Sequence, residues 1–410
     1  MRIAILAYST APNYGANLQV LSTVGYLRRM GHSPLVLRYE TEDFVAFYRR
    51  NTPSSAYSVF RQFQAQYMPL SKVCRSAEQI AQVLQEEHID AVIVGSDAVA
   101  QHHTLWERLL FPTRHLVSVQ HMTADRLFPN PFWGTFLDYM EHPIPLALMS
   151  ASSQDSRYRY FLPSTRRAMY ARLQQFGYIS VRDHWTAEMY QTVSRGAIQA
   201  EVTPDPVFAF QSNCADIIPT KEEILSKFGL PESYFLLSFK DNRTVSQQWF
   251  SCFENEANNH NIACVSMPFP QGMLCSHRVQ YTLPSALSPL DWYALIRYSK
   301  GYVGHNMHPI VSSLHNANPF FAFDNYGTRY VNGFLSSDYS SKIRHLLCAA
   351  HLEDYRVSCV GRRFSAPAAV EVVSKLLSFP TDKAEKFSSA YLARYENMMS
   401  NILQSFELCE

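Results

Sequence analysis

The segment that decides the fold is GHNMHPIVSSLHNANPF, residues 304–320. An apolar run, 301–304, leads into it and another, 319–323, closes it, and both runs are typical of buried strands. Between them lie a turn that carries His305 and His308 and a short helical segment. The segment therefore predicts a strand, a histidine-bearing turn, a helix and a second strand, which together make one unit of an open α/β sheet.

The two histidines are predicted to lie at a ligand-binding edge. In open α/β sheets, ligands bind at the carboxyl ends of the strands, where this turn begins. Pro309 suits the first position of a helix, which predicts His308 as the N-cap. Backbone N–H groups at a helix start are unpaired and attract anions. We therefore expect an imidazole beside a bound phosphate or carboxylate.

The composition excludes several classes of protein. The chain has 410 residues, of which 47% are hydrophobic and 17% charged, as in a folded protein large enough for two domains. Its 36 basic and 35 acidic residues leave a formal charge of +1, so no overall field favours nucleic acid as a partner. No apolar run reaches the roughly 18 residues of a membrane span, and we see no cleavable signal pattern.

The eight cysteines are scattered and include no C-x-x-C pair. We interpret them as reduced structural thiols, because disulfides do not persist in a reducing compartment. The prediction is a cytoplasmic protein, either free or peripherally associated with the inner membrane face.

Strands and helices alternate along the first half of the chain. Strands are predicted at 3–8, 34–39, 90–94, 145–150 and 177–181, and helices at 18–29, 76–87, 163–176 and 184–194. Residues 40–70 are rich in aromatic side chains and are predicted to be irregular, whereas 98–142 shows no clear pattern. Alternation of this kind indicates parallel strands in a doubly wound sheet. We assign residues 1–212 to an N-terminal domain.

The pattern starts again after a polar helical linker. Strands are predicted at 234–239, at 262–267 and on both sides of the histidine turn, and helices at 246–259, 289–299, 340–352 and 366–378. Residues 213–378 are assigned to a second domain, and 379–410 to a C-terminal helix that packs back on the first. The predicted fold class is α/β, with two Rossmann-like doubly wound domains that face a central cleft.

Some polar residues at predicted strand ends have two interpretations. Arg182 suits bidentate binding of a carboxylate or phosphate, but the alternative is an ion pair with Asp183, Asp205 or Glu188. Asp97 could face the cleft or only cap a turn. A metal site at the histidines is not expected, because no carboxylate or thiol completes a ligand set until Asp324.

Five short motifs occur along the chain in a fixed order. They are NYGANLQ at 13–19, VGSD at 94–97, SVRD at 180–183, DPV at 205–207, and His308 with Pro319 eleven positions later. Together they resemble the polysaccharide pyruvyl transferase family, whose fold is similar to that of the two-domain GT-B glycosyltransferases. The departures from the family pattern are Pro309 in place of glycine, Asn306 in place of arginine or serine, and 98–100 in place of a tryptophan.

The resemblance implies a metal-independent transferase that moves pyruvate from phosphoenolpyruvate to a sugar diol as a ketal, in surface polysaccharide or exopolysaccharide biosynthesis. No cofactor is implied, since phosphoenolpyruvate is the donor substrate. Arg182 would hold the anionic donor and His308 would be the general acid or base, with Lys342 assisting. The N-terminal domain would be the acceptor side and the second domain the donor side. The other substrate-binding residues implied are Asn13, Tyr14, Gly15, Gln19, Ser96, Asp97, His305 and Asn306.

Two alternatives stay open. The first is a GT-B glycosyltransferase that uses a nucleotide sugar, with the diphosphate at the helix starts of the second domain. The second is a non-catalytic saccharide-binding protein, which Pro309 and Asn306 favour. The expected partner is a saccharide acceptor, free or lipid-linked, and not a nucleic acid.

Overall fold

The structure is a computed structural model that describes residues 1–113, 116–240, 244–330, 335–361 and 364–408. It contains two parallel sheets, each flanked by helices. The strands of the first sheet are β1 (Arg2–Leu6), β2 (Ser33–Tyr39), β3 (Leu70–Cys74), β4 (Ala91–Asp97), β7 (Leu146–Ala151), β8 (Tyr178–Val181) and β9 (Glu201–Val202). Those of the second sheet are β10 (Tyr234–Ser238), β11 (Ala263–Ser266), β12 (Tyr281–Thr282), β13 (Gly301–Gly304), β14 (Phe320–Asp324) and β17 (Arg356–Ser358). Two antiparallel pairs lie outside the sheets, β5 (Leu109–Thr113) with β6 (Leu116–Val119) and β15 (Thr328–Tyr330) with β16 (Leu335–Ser337).

The helices follow the strands in the alternation that the sequence predicts. In the first half they are α1 (Tyr14–Arg29), α2 (Glu42–Asn51), α3 (Ser54–Tyr67), α4 (Ala77–Glu86), α5 (Leu105–Arg108), α6 (Pro163–Leu173) and α7 (His184–Val193). In the second half they are α8 (Phe210–Cys214), α9 (Lys221–Phe228), α10 (Gln247–Asn259), α11 (Pro289–Tyr298), α12 (Met307–His315), α13 (Lys342–Ala350), α14 (Ala369–Leu377) and α15 (Thr381–Glu407).

Both sheets reverse their strand order near the middle. The order of the first sheet is β3-β2-β1-β4-β7-β8-β9, so its reversal lies between β1 and β4. The order of the second is β12-β11-β10-β13-β14-β17, with the reversal between β10 and β13. Neighbouring strands run parallel at both reversals. Such a point opens a crevice at the carboxyl ends of the strands, where ligands bind. The predicted doubly wound α/β class is confirmed.

The two halves pack directly on each other through α1 and α11. The ring of Tyr14 stacks on that of Trp292 with 5.3 Å between the ring centroids, and both side chains are fully buried. Burial of a large side chain stabilises the folded state by about 1.5–3 kcal/mol. This contact therefore fixes the start of α1, which belongs to the first sheet, against the second half of the chain.

Helix α15 returns to the first sheet. The ring of Tyr395 meets that of Tyr26 edge to face at 5.7 Å, and the Ser150 hydroxyl lies 3.2 Å from the sulfur of Met398. The domain limits 1–212, 213–378 and 379–410 remain predictions. Among the described residues, no helix combines the length and the apolar character needed to cross a bilayer.

The prediction of an irregular segment at 40–70 is wrong. The structure has helices α2 and α3 there, and β3 begins at the end of the segment. Thr41 caps α2 by accepting a hydrogen bond from the Phe44 backbone N–H. One face of each helix buries aromatic rings, those of Phe44 and Tyr48 in α2 and of Phe60 in α3. These rings dominate the local composition and obscured the helical spacing.

One other local prediction needs correction, and the stretch that showed no pattern can now be described. Residues 98–142, which showed no pattern, form α5, the β5–β6 pair and three short 3₁₀ turns in their described part. Helix α12 begins at Met307, two residues before the predicted start, and its N-cap is Asn306. His308 and Pro309 are therefore its second and third residues. Proline is tolerated anywhere in a first turn, because the N–H that it lacks has no partner within the helix there.

Candidate active site

A polar cavity of about 240 Å³ lies where the two crevices meet. The first half contributes the loop after β1, the start of α1 and the end of β4, and the second half contributes the start of α12 and the start of α13. The polar residues that line it are Tyr8, Asn13, Tyr48, Asp97, Gln101, Arg126, Gln154, Gln271, Asn306, His308, Tyr326 and Lys342. The cavity is therefore an interdomain site at the topological switch points of both sheets.

His308 is held between the two halves of the protein. It is the second residue of α12, and its imidazole lies directly against the backbone of Gly15 in α1. A Cβ atom added to Gly15 would overlap the imidazole ring. Because Gly15 has no side chain, α1 can approach His308 this closely, which no other residue at this position would allow.

The imidazole of His308 is neutral at neutral pH. Burial lowers its pKa to about 4, although the carboxylates of Asp97 and Asp205 act in the opposite direction. Its Nε2 atom is buried and has no hydrogen-bond partner among the described residues. A neutral imidazole with an unused ring nitrogen can accept a proton.

Arg182 forms ion pairs with two carboxylates. Nη1 lies 2.8 Å from Asp205 and Nη2 lies 3.1 Å from Asp97, and the arginine side chain is 2% exposed. Burial alone would lower its pKa, but Asp205 and Asp97 raise it above the ordinary range of arginine. Gln19 donates a further hydrogen bond to Asp205, at 2.6 Å. Arg182 is not among the residues that line the cavity, so it lies behind the wall and not on its surface.

Asp97 connects this ion-pair cluster to the cavity. It is the last residue of β4 and lines the cavity with a left-handed backbone, at φ +74°. Burial would raise the pKa of its carboxyl group, but Arg182 and then Lys342 outweigh that effect and hold the pKa at about 2. Asp97 is therefore ionised across the physiological range. The neighbouring Ser96 is buried, and its hydroxyl has no partner in the described part of the chain.

Lys342 places a positive charge on the cavity surface. It is the first residue of α13, after the N-cap Ser341, and its Nζ lies 4.9 Å from the centre of the Tyr326 ring. Burial lowers its pKa to about 8, and the charge of Arg182 acts in the same direction while Asp97 opposes it. Within the described ranges, no hydrogen bond or ion pair involves this ammonium group. A buried cation without a partner is suited to receive an anion.

The structure separates the predicted site residues into two groups. Those that line the cavity are Asn13, Asp97, Asn306, His308 and Lys342. Tyr14 lies outside it, with its hydroxyl 3.3 Å from the Ser285 carbonyl and its ring against Trp292. His305 also lies outside it, with Nδ1 2.8 Å from the Phe323 carbonyl and Nε2 3.2 Å from the Thr244 hydroxyl. Gly15, Gln19, Ser96 and Arg182 do not line the cavity either. Gly15 lies against His308, Gln19 and Arg182 both bind Asp205, and Ser96 is buried.

Sequence reasoning missed a second set of lining residues. These are Tyr8, Tyr48, Gln101, Arg126, Gln154, Gln271 and Tyr326. Tyr8 is the last residue of the first predicted strand, so its place at a strand end was a usable signal. Arg126 ends a 3₁₀ turn, Ala124–Arg126, inside the stretch that showed no pattern, and nothing in the local sequence marks it.

The fold and the site define a two-domain α/β protein of the GT-B type, with a polar cavity between the domains. A family model described as polysaccharide pyruvyl transferase matches residues 13–326. The chain belongs to the polysaccharide pyruvyl transferase family, which is a family of transferases, and the predicted resemblance is confirmed. The matched range begins at Asn13 and includes His308, whereas Lys342 lies beyond it. No curated protein sequence matches the chain.

Solved structures support the fold. The UDP-GlcNAc 2-epimerase from Neisseria meningitidis, bound to UDP-GlcNAc, superimposes with a TM-score of 0.54 at 12% identity, covering 98% of this chain and 100% of the epimerase. UGT2 of Phytolacca americana, complexed with UDP-2-fluoro-glucose and pterostilbene, gives a TM-score of 0.51 at 10% identity, covering 99% of each chain. At such low identity, these likenesses show the GT-B arrangement and nothing about ligands.

Proposed function

We propose that this protein transfers pyruvate from phosphoenolpyruvate to two hydroxyl groups of a saccharide, forming a ketal and releasing phosphate. The observation that carries the proposal is the convergence of two groups without partners in the described structure, the Lys342 ammonium and His308 Nε2, on one interdomain cavity. One is a cation that suits an anionic donor, and the other is a neutral base that suits a hydroxyl group.

The donor end of the cavity is formed by Lys342 and the start of α12. The N-cap Asn306 makes no side-chain hydrogen bond to the first turn of α12, so its side chain does not occupy the N–H groups of that turn. A helix start of this kind attracts phosphate or carboxylate, and the lysine adds a full positive charge. We therefore assign donor binding to Lys342 and α12, in place of the direct contact with Arg182 that the family resemblance implied.

The protons of the reaction balance without a further reactant. Two acceptor hydroxyl groups each lose a proton as their oxygens bond to C2 of the donor. One proton ends on C3, which becomes a methyl group, and the other leaves with the phosphate whose C–O bond breaks. His308 is neutral and would take the first hydroxyl proton, and Lys342, with its pKa of about 8, is the protonated group placed to act as the acid. Asp97, fixed by Arg182, would stabilise positive charge that develops beside it.

The test compares donors on the purified protein. We expect saturable calorimetric binding of phosphoenolpyruvate, competition by inorganic phosphate, and phosphate release when a pool of candidate saccharides is added. UDP- and GDP-sugars are titrated in the same way, because they are the donors that the glycosyltransferase alternative would use. Tight binding of a nucleotide sugar together with no heat from phosphoenolpyruvate would reject the proposal in favour of that alternative. Saccharide binding without affinity for either donor would favour a non-catalytic role.

A further inference from the structure

Arg126 is a second cation on the cavity wall, on the side formed by the first half of the chain. It ends the 3₁₀ turn Ala124–Arg126 in the excursion between β4 and β7. Its guanidinium carbon lies 4.9 Å from the centre of the Phe47 ring, and its side chain is 28% exposed and lines the cavity. The aromatic face orients the guanidinium without using its N–H donors.

Among the described residues, most N–H donors of Arg126 have no hydrogen-bond partner. Asp125 forms an ion pair with Arg126, but its Oδ2 lies 3.9 Å from Nε, beyond hydrogen-bond distance, and the Tyr48 hydroxyl accepts from only part of the five-donor guanidinium. Burial alone would lower the pKa of Arg126, but Tyr48, Tyr8 and Asp125 outweigh it, so the guanidinium stays charged. Burial also raises the pKa of Asp125, and the charge of Arg126 acts in the opposite direction. The charged guanidinium of Arg126 therefore lines the cavity with N–H donors that have no hydrogen-bond partner in the described part of the chain.

The groups around Arg126 suit a sugar. The same wall carries the amides of Asn13, Gln101 and Gln154 and the phenol of Tyr48. Amides and phenols are neutral donors and acceptors of the kind that pair with sugar hydroxyls. Asp97 also lines this wall, but its charge is paired with Arg182. Arg126 beside these neutral amides and the phenol therefore fits a saccharide that bears one acidic substituent.

The two cations of the cavity come from opposite halves of the chain. Lys342 begins α13 in the second half and lies beside Tyr326, whereas Arg126 ends the 3₁₀ turn in the first half and lies beside Phe47. The cavity therefore has one positive position on each of its two walls. One anionic group at the Lys342 wall leaves the Arg126 wall for an acid on the other substrate.

We propose that Arg126 forms a subsite for an acidic group, a carboxylate or a phosphate, carried by the acceptor saccharide. The inference rests on the proposed function, because that function assigns one part of the cavity to the donor and leaves the other for the acceptor. It narrows the acceptor class from any sugar diol to acidic saccharides. A uronic acid and a sugar phosphate present the same chemistry to the guanidinium, and the experiment separates them.

The test measures binding of three probes, glucuronate, glucose 1-phosphate and neutral glucose, by titration calorimetry with and without saturating phosphoenolpyruvate. In the unmodified protein, at least one acidic probe should bind about 10-fold or more tightly than glucose, since a charge-assisted hydrogen bond is roughly twice as strong as a neutral one. The preferred probe identifies the acid. Arg126→Gln should abolish the preference while the affinity for phosphoenolpyruvate changes less than about threefold. Arg50→Gln, at an exposed arginine on the nearby α2, is the matched control and should change neither value.

The outcomes separate this inference from the proposed function. Equal binding of acidic and neutral probes, or a preference that survives Arg126→Gln, would overturn the subsite. Loss of phosphoenolpyruvate binding in Arg126→Gln would also overturn it, because Arg126 would then hold the donor. Failure of the unmodified protein to bind phosphoenolpyruvate would reject the proposed function instead, and the probes titrated without donor would still report on Arg126. A thermal melt confirms that each variant is folded.

Discussion

Gly15 of α1 lies directly against the imidazole of His308 in α12, so that even one methyl group on Gly15 would overlap the ring. The two residues are 293 positions apart and belong to opposite halves of the protein. The backbone of one half therefore sets the position of the candidate base of the other. Active-site geometry in this protein depends on how the halves dock.

Gly15→Ala should reduce activity while the protein stays folded. The added methyl group must displace His308, and a displacement of about 1 Å at a reacting group can lower turnover roughly 10²-fold. Phosphate release from phosphoenolpyruvate measures the effect. Gly177→Ala is the control, because a Cβ there would meet its nearest neighbour, Ser405, at an ordinary 3.7 Å. Full activity in Gly15→Ala would show that the imidazole position does not matter.

His308→Gln should lower turnover by roughly 10²–10⁴-fold, with little change in the affinity for phosphoenolpyruvate. Glutamine retains hydrogen bonding but cannot transfer a proton. Steady-state kinetics and calorimetry measure the two effects separately. His260→Gln, at an exposed histidine that ends α10, should leave both values unchanged. Unchanged turnover in His308→Gln would assign His308 a structural role only.

Lys342 should impose an alkaline limit on kcat/KM. Its pKa is about 8, so the ammonium is present below that pH and is lost above it. The donor phosphate titrates near 6 and does not interfere on the alkaline side. We expect kcat/KM to fall above about pH 8 in the unmodified protein, and Lys342→Arg should shift the fall to higher pH, because arginine stays charged. Lys386→Arg, on the exposed side of α15, is the control.

In the ligand-free protein, Lys342 should make the free energy of unfolding rise over the same alkaline range in which kcat/KM falls. The unfolded chain holds the proton up to about 10.5 and the folded protein only up to about 8, so the contribution of Lys342 to the free energy of unfolding should rise between those two pH values. Chemical denaturation of the unmodified protein and of Lys342→Met across this window measures that contribution as the difference between the two, because the buried thiols that titrate in the same window are present in both. An alkaline limit that is the same in Lys342→Arg, or a difference that does not change with pH, would contradict the placement of this ammonium.

Arg182→Lys should affect stability more than donor binding. A lysine cannot bridge Asp97 and Asp205 with two separate N–H groups, so we expect the free energy of unfolding to fall by about 1–3 kcal/mol. Affinity of the folded protein for phosphoenolpyruvate should fall less than about tenfold. Arg2→Lys, in the exposed ion pair with Glu87, should be nearly neutral. A large loss of donor affinity with unchanged stability would return Arg182 to the role of donor ligand.

Local pattern was sufficient for most of the architecture. The strands and helices on either side of the histidine turn lie close to their predicted positions, because alternation of apolar runs and helical spacing is encoded within each short segment. The segment at 40–70 was predicted wrongly. Its many aromatic residues suggested an irregular loop, but helices α2 and α3 bury these rings against the rest of the protein. Tertiary packing decided the outcome there.

Only some of the residues that line the cavity could be predicted from the sequence. The strand-end positions of Asp97 and His308 marked them as candidates, and both line the cavity. Arg126 could not be found, because its neighbours Phe47, Tyr48 and Tyr8 come from segments far away in the chain. A short 3₁₀ turn has no periodicity that would reveal what it faces.

The sequence by itself determined the fold class, the family and the strand ends at which chemistry could occur, since these depend on local pattern and motif order. Only the tertiary structure decided which cation is available to a ligand. Arg182 meets Asp205 and Asp97, 23 and 85 positions away, and lies behind the wall, whereas Lys342 has neither an ion pair nor a hydrogen bond in the described part of the chain. The reason is that charge neutralisation depends on distance in space, over a few ångströms, and not on distance along the chain.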